Sequence, residues 1–303
     1  MLTDAVERYL SLRQTLGHKL RGAGAHLRAF AHFAVATGDV HVRTATAMEW
    51  AKQARSPNAR HIWLRDVSAL ARFLHAEDSA HEVPPRIFHA AKSRPRPYIY
   101  TPEEIERLIE AAGRLRQTRA YPMRRWVYTT LIGLIASTGL RISEALNLEF
   151  DDMLPGGVLR IRRTKFGKSR LVPLHPTVTE ALDRYLDVRR TVAATKHVFL
   201  SASRRRISGS MVRYTFRRML RLAEIACGRT RQPRIHDLRH TFATRALEQC
   251  ATRREAVARH FVALSTYLGH GDIKATYWYL EATPEMMIGI ATAAEGLVAG
   301  RGV

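Results

Sequence analysis

Val158-Leu159-Arg160-Ile161-Arg162-Arg163 and Ser169-Arg170-Leu171-Val172-Pro173-Leu174 are two short runs in which apolar and polar residues alternate. Between them stands Thr164-Lys165-Phe166-Gly167-Lys168, a glycine-bearing tip with two lysines. Alternation at period two on either side of such a tip predicts an antiparallel hairpin. On both sides of it, apolar residues recur at helical spacing instead. Helices are predicted over about 176–190, 209–226, 236–248 and 254–267. Upstream, the apolar stretch 122–137 (PMRRWVYTTLIGLIAS) reads as a helix that Gly139 stops. The fold class is therefore mainly α with a small antiparallel β-sheet (α+β).

Further toward the N-terminus, the sequence changes character. Lys92-Ser93-Arg94-Pro95-Arg96-Pro97-Tyr98-Ile99-Tyr100 combines two prolines with three cations and cannot continue a helix. It reads as a linker over 92–100. Thr101-Pro102-Glu103-Glu104 follows, with Thr as N-cap, Pro at the first helical position and an acid placed to reach back. A second domain, 101–303, starts there. Before the linker, 1–91 reads as a helical domain. Leu2-Val6-Leu10, Leu27-Phe30-Phe33 and Ile62-Leu70-Phe73-Leu74 follow helical spacing, punctuated by Gly17, Gly22, Gly38 and Pro57. Four short helices fit this stretch.

Charge narrows the function. In 303 residues, 49 Lys and Arg oppose 27 Asp and Glu, a formal net charge of +22. Such an excess implies a polyanionic partner, and nucleic acid is the commonest. A membrane surface would call for an amphipathic or lipidated anchor, and none is visible. The first residues, MLTDAVERYL, lack an apolar signal core, and no run reaches membrane-spanning length, so a cytoplasmic protein is expected. Cys227 and Cys250 are the only cysteines, too few for a disulfide framework, and both are expected to be reduced. Binding to a phosphate-tracking protein should weaken steeply with salt, as counterions are released at each contact.

Four separated pieces could carry chemistry. In Thr138-Gly139-Leu140-Arg141-Ile142-Ser143-Glu144, a guanidinium projects from a tight turn between helices. Lys165 stands at the hairpin tip. In His236-Asp237-Leu238-Arg239-His240, residues three apart share a helix face, so His236 and Arg239 can address one ligand. A guanidinium grips phosphate oxygens in bidentate fashion, and an imidazole exchanges protons near neutral pH. Leu268-Gly269-His270 is followed by Tyr279 in Thr276-Tyr277-Trp278-Tyr279-Leu280. Singly, each has a bland reading: a structural arginine, a solvated lysine, a histidine closing a helix, a core tyrosine.

Together they are far more specific. Arg141, Lys165, His236-x-x-Arg239, His270 and Tyr279, in that order, resemble the active site of the tyrosine recombinases, the phage integrase family. T-G-L-R-I-S-E, L-V-P-L, H-D-L-R-H-T-F-A-T and L-G-H agree with that family around those residues. The resemblance covers 101–303 as a catalytic domain, and 1–91 resembles the family's helical (SAM-like) domain that clamps core DNA. The ending T-Y-W-Y-L-E-A-T-P-E is similar to recombinases carried by transposons and other mobile elements. One departure stands out. The segment from His240 to His270 is about two helical turns longer than the usual family spacing, and CATRREAVARH is where a longer loop or helix would absorb it.

The resemblance implies a site-specific recombinase or integrase that joins DNA strands through a 3′-phosphotyrosyl intermediate, with Tyr279 as nucleophile. On a helix Tyr277 would face away from it. Arg141 and Arg239 would meet charge developing on the phosphate. His236 would accept the phenol proton, Lys165 would protonate the leaving 5′-oxygen, and His270 would bind the scissile phosphate. Glu144 and His240 would stand behind these groups and orient them. Lys19, Arg21, Arg60, Arg65, Arg94, Arg96, Lys168 and Arg213 are candidate DNA contacts. Partners implied are double-stranded DNA and a homo-tetramer assembled on it, alone or beside sister recombinases of the same element. A C-terminal helix over 284–299, capped at Thr283-Pro284, would be exchanged between protomers. No metal or other cofactor is implied, and the sequence shows neither an acidic metal cluster nor a glycine-rich phosphate loop. Two rival readings share much of this chemistry or fold: a type IB topoisomerase, and a DNA-binding accessory subunit without cleavage.

Overall fold

The computed structural model describes residues 1–18, 20–89, 96–162, 169–225, 232–248 and 254–269. Two compact units divide the chain, Met1–Pro95 and Arg96–Val303.

In the first unit, four helices run in sequence: α1 (Leu2–Thr15), α2 (Arg21–Ala36), α3 (Thr44–Lys52) and α4 (Pro57–His75). Their buried faces assemble one core from Leu2, Val6, Leu10, Leu27, Phe30, Leu64, Leu70 and Leu74, closed by Trp50 stacked on Trp63. Each such leucine contributes about 1.5–3 kcal/mol through burial. Local chemistry explains the start of α4, where the Ser56 hydroxyl accepts the Ala59 N–H and Pro57 takes the first helical position. Two sequence expectations shift here. Gly22 lies inside α2 and does not break it, and Ile62 lies on the exposed side of α4 while Leu64 and Val67 line the core.

The second unit opens on Tyr98 and Tyr100. Tyr100 is fully buried; its N–H donates to Thr241 Oγ1 at 2.9 Å and its carbonyl accepts from Arg245 Nη2 at 2.7 Å. Helix α5 (Pro102–Gly113) begins with the reciprocal cap that its first residues encode, Thr101 Oγ1 accepting the Glu104 N–H and Glu104 Oε2 accepting the Thr101 N–H. It packs on α6 (Arg124–Thr138), the apolar helix at the centre of the unit. Helix α6 ends at Gly139, whose φ of +61° is the left-handed closure glycine favours. A five-residue helix, α7 (Ile142–Leu146), follows at once.

The sheet has three antiparallel strands in the order β1 (Met153–Leu154), β2 (Val158–Ile161) and β3 (Arg170–Pro173). Leu159 pairs with Val172, and both are buried with Ile161. The two-residue β1 has no alternation to betray it in sequence. Helices α8 (Pro176–Arg190), α9 (Gly209–Leu222), α10 (Ile235–Glu248) and α11 (Arg254–Leu268) complete the described chain. Capping by Ser208, whose hydroxyl accepts the Met211 N–H, starts α9, and α9 stops at Leu222, short of the 226 expected. Ala243, Leu247, Phe261, Leu264 and Leu268 form a small core that binds α11 to α10. Among the described residues, no helix is long and apolar enough to cross a membrane.

Candidate active site

Arg141 stands at the N-cap of α7 in extended backbone conformation, two residues after the turn at Gly139. A Cβ at Gly139 would lie 2.5 Å from Cδ1 of Phe242, a side chain of α10. That close approach brings the start of α7 against α10. Glu144, in the first turn of α7, reaches back so that its Oε2 accepts the Arg141 N–H at 3.0 Å. Its Oε1 accepts from Arg141 Nη1 at 2.8 Å.

Helix α10 presents Arg239 and His236 one turn apart. Arg239 is almost fully buried, yet its guanidinium is well supplied with acceptors: Nη1 donates to the Gly139 carbonyl at 2.7 Å and Nη2 to the Leu268 carbonyl at 2.8 Å. Arg141 reaches the same place from α7, with Nη1 donating to Leu268 O at 3.3 Å and Nη2 to Gly269 O at 3.1 Å. These oxygens belong to the end of α11, where helix carbonyls lack intrahelical partners and the dipole is negative. Two cations from separate helices are thereby fixed beside the residue that immediately precedes His270.

The imidazole of His236 packs edge-on against that of His240, ring centroids 4.6 Å apart. His240 is buried, while His236 opens to solvent from a rim of protein. Loss of hydration against that rim, then the cations Arg239, Arg234 and Arg141, push the His236 pKa below the ordinary histidine value; Asp237 opposes them. A neutral ring at neutral pH is what a proton acceptor needs. Asp237 is buried and serves the helix start, its Oδ2 accepting the Arg234 N–H at 2.7 Å.

A residue that the sequence reading left out completes the arrangement. Arg170, on β3, donates Nη1 to Glu144 Oε1 at 3.1 Å, Nη2 to Glu144 Oε2 at 2.9 Å and Nε to the Tyr267 carbonyl at 2.6 Å. Burial would raise the Glu144 pKa, but the guanidiniums of Arg170 and Arg141 outweigh it and hold the carboxyl at about 2. The available signal was strand alternation: Arg170 shares a face with buried Val172, while Leu171 between them is exposed.

The structure thus brings together Arg141, Glu144, His236, Arg239 and His240. Lys165, Lys168, His270, Tyr277, Tyr279, Lys19 and Arg94 lie outside the described residues, as do both cysteines and 284–299. Of the remaining candidate DNA contacts, Arg21 lies at the first position of α2. Arg60 donates to the Ala54 carbonyl at 3.3 Å, Arg65 pairs with Asp66 at 2.9 Å, and Arg96 and Arg213 are exposed.

In the first unit, His41, Asp78 and His81 place ligand-type atoms within 4.8 Å of one another, the kind of trio that could hold a metal. Yet His81 Nδ1 already accepts the Val42 N–H at 3.0 Å. A neutral ring so engaged carries its proton on Nε2, which leaves neither nitrogen a free lone pair.

Two guanidiniums held beside a histidine, on a mainly helical frame, are groups that chemistry on a phosphodiester calls for. Residues 99–286 match the family model described as the phage integrase family. The chain belongs to that family: it is a tyrosine recombinase, an enzyme that cuts and rejoins DNA strands in recombination. An integrase/recombinase of Sinorhizobium fredii (y4rB) is 37% identical, covering 94% of this chain and 94% of its own. The tyrosine recombinase XerD of Mycobacterium tuberculosis is 33% identical over 72% of this chain and 67% of its own. Among solved structures, the Tn1549 transposon integrase in complex with transposon right end DNA superposes with a TM-score of 0.66 at 17% identity, covering 97% of this chain and 99% of that one. A lambda integrase dimer bound to a core site gives 0.64 at 18%, covering 90% and 96%. At such identities the likeness to these two is one of fold.

Proposed function

We propose that this enzyme performs site-specific strand exchange for a mobile element through a 3′-phosphotyrosyl intermediate on Tyr279. The phenolic oxygen of Tyr279 attacks the scissile phosphorus while the bond from phosphorus to the 5′-oxygen breaks. His236 accepts the phenol proton and Lys165 delivers one to the departing 5′-oxygen. Arg141 and Arg239 stabilise the charge that builds on the non-bridging oxygens, and His270 donates a hydrogen bond there. Attack by the 5′-hydroxyl of another strand reverses each step and rejoins the DNA, because the phosphotyrosyl link conserves the energy of the broken bond.

One observation carries this reading: the guanidiniums of Arg141 and Arg239, from α7 and α10, meet at the single carbonyl of Leu268. The net charge of +22 supports double-stranded DNA as the partner. A homo-tetramer on that DNA, with 284–299 exchanged between protomers and 1–91 clamping the duplex, accords with the lambda integrase neighbour solved as a tetramer bound to a Holliday junction. The mobile-element role accords with the transposon integrase neighbour. A cytoplasmic location belongs to the same reading, since the enzyme acts on DNA.

The test uses nicked suicide duplexes cut from DNA flanking the gene, incubated with protein in EDTA and resolved on denaturing gels. Wild type is expected to give a covalent protein–DNA band that Tyr279→Phe abolishes. A band that survives the substitution moves the nucleophile elsewhere, with Tyr277 next in line. Tight binding without any band favours a non-cleaving accessory subunit.

A further inference from the structure

Arg170 takes no part in the mechanism above, yet its guanidinium is bound to Glu144 beside Arg141. Its fork faces both oxygens of Glu144, at 3.1 and 2.9 Å. The same two oxygens also accept the side chain and the backbone N–H of Arg141, at 2.8 and 3.0 Å. One buried carboxylate is therefore shared between two guanidiniums. The sharing has a consequence for charge. Glu144 with Arg141 alone would be a closed, neutral pair, with the carboxylate drawing the full fork of Arg141 onto itself. With Arg170 filling that role, the trio carries a net positive charge, and Arg141 keeps Nη2 turned toward the Gly269 carbonyl.

We propose that Arg170 is a positioning residue for strand cleavage: by neutralising Glu144 it leaves the charge of Arg141 available to the DNA phosphate. The inference rests on the assignment of Arg141 to that phosphate. A purely structural role is the competitor, since Arg170 Nε also ties β3 to the end of α11 through Tyr267 O, at 2.6 Å. The two roles differ in how they respond to the charge on Glu144.

The experiment compares wild type, Arg170→Ala, Arg170→Lys, Glu144→Gln and the double variant Arg170→Ala/Glu144→Gln. Each is read for affinity to the flanking duplex, for the single-turnover rate of covalent complex formation on the suicide duplex, and for its urea unfolding midpoint. Arg170→Ala should bind DNA nearly as wild type but cleave roughly 100-fold more slowly, the scale of a misplaced catalytic group. Arg170→Lys, which keeps the charge and loses the fork, should fall between. Removing the carboxylate charge in the double variant should restore about tenfold of the lost rate, although it deletes one more partner. A double variant no faster than Arg170→Ala, or an Arg170→Ala enzyme cleaving at the wild-type rate, overturns the inference. If Arg170→Ala does not fold, Arg170→Gln with and without Glu144→Gln gives the same comparison. Arg141→Ala separates the two levels. Wild-type cleavage by that variant removes the underlying assignment, whereas loss of cleavage there beside full cleavage in Arg170→Ala overturns the role of Arg170 alone.

Discussion

Arg141 and Arg239 donate to one backbone oxygen, the carbonyl of Leu268, at 3.3 and 2.8 Å. They come from helices α7 and α10, which are joined by the close approach of Gly139 to Phe242. The end of α11 thus works as a template: its carbonyls, which lack intrahelical donors, hold two like charges side by side, as the proposed binding of a phosphate requires. Preorganisation of this kind spares the enzyme the cost of turning dipoles during the reaction.

Arg239 should be the more costly of the two to remove. Its burial means that, when the guanidinium goes, the Gly139 oxygen loses its donor at 2.7 Å and the Leu268 oxygen keeps only Arg141 at 3.3 Å. Arg239→Ala should lower stability by about 1–3 kcal/mol and slow covalent complex formation by about 10²–10³-fold. Arg239→Lys keeps the charge but loses the planar fork that spans the Gly139 and Leu268 carbonyls, so cleavage should be retained only in part. Urea unfolding and the suicide-duplex assay check both. A stable, fully active Arg239→Ala would refute this account of the cradle.

Two glycines of the same helix-turn region should behave oppositely. Gly139 has φ of +61° and an aromatic ring in the space a methyl would need, so Gly139→Ala should cost about 1–3 kcal/mol. Gly133, inside α6, has open space around its Cβ position. Gly133→Ala should stabilise by about 0.5–1 kcal/mol through helix propensity. Urea midpoints of both variants decide the matter, and equal effects would contradict it.

The proposed role of His236 as proton acceptor gives cleavage a pH limb whose direction follows from the surroundings of that ring. Its pKa lies below the ordinary 6.5 because of lost hydration and then the neighbouring arginines. The ring stays neutral, and able to accept a proton, until the pH drops under that ordinary value. Cleavage should therefore persist through the ordinary histidine range, with an acid limb lying lower than an unperturbed histidine would place it. Arg234→Gln removes one of the repelling cations and frees Asp237 from its ion pair at 3.0 Å, two changes that both raise the His236 pKa. The acid limb should move upward in that variant. Rate–pH profiles from pH 5 to 8 would show it, and an unmoved limb would assign the limb to another group.

Much of this molecule is written in short-range chemistry. Thr101-Pro102-x-Glu104 encodes the start of α5, Gly139 the end of α6, and helical spacing the cores of α2, α4 and α6. Caps, turns and periodicity act within a few residues, so they survive in the sequence as patterns. The candidate site residues stood out for a related reason, since Arg141 and His236-x-x-Arg239 sit in local frames that carry recognisable neighbours. What could not be read there is long-range. The strand β1 is too short to alternate, and it exists because β2 offers it a ladder. Arg170 stands between Ser169 and Leu171 in S-R-L-V-P-L, and only packing decides that Arg170 turns inward while Leu171 faces water. Its partner Glu144 stands 26 residues away and the carbonyl of Tyr267 lies 97 away. Which carboxylate a buried guanidinium meets, and which helix end receives it, depends on how α7, α10, α11 and β3 close around one another. That closure is a property of the packed chain, because the desolvation that makes each charge pair specific arises only when all four elements are in place.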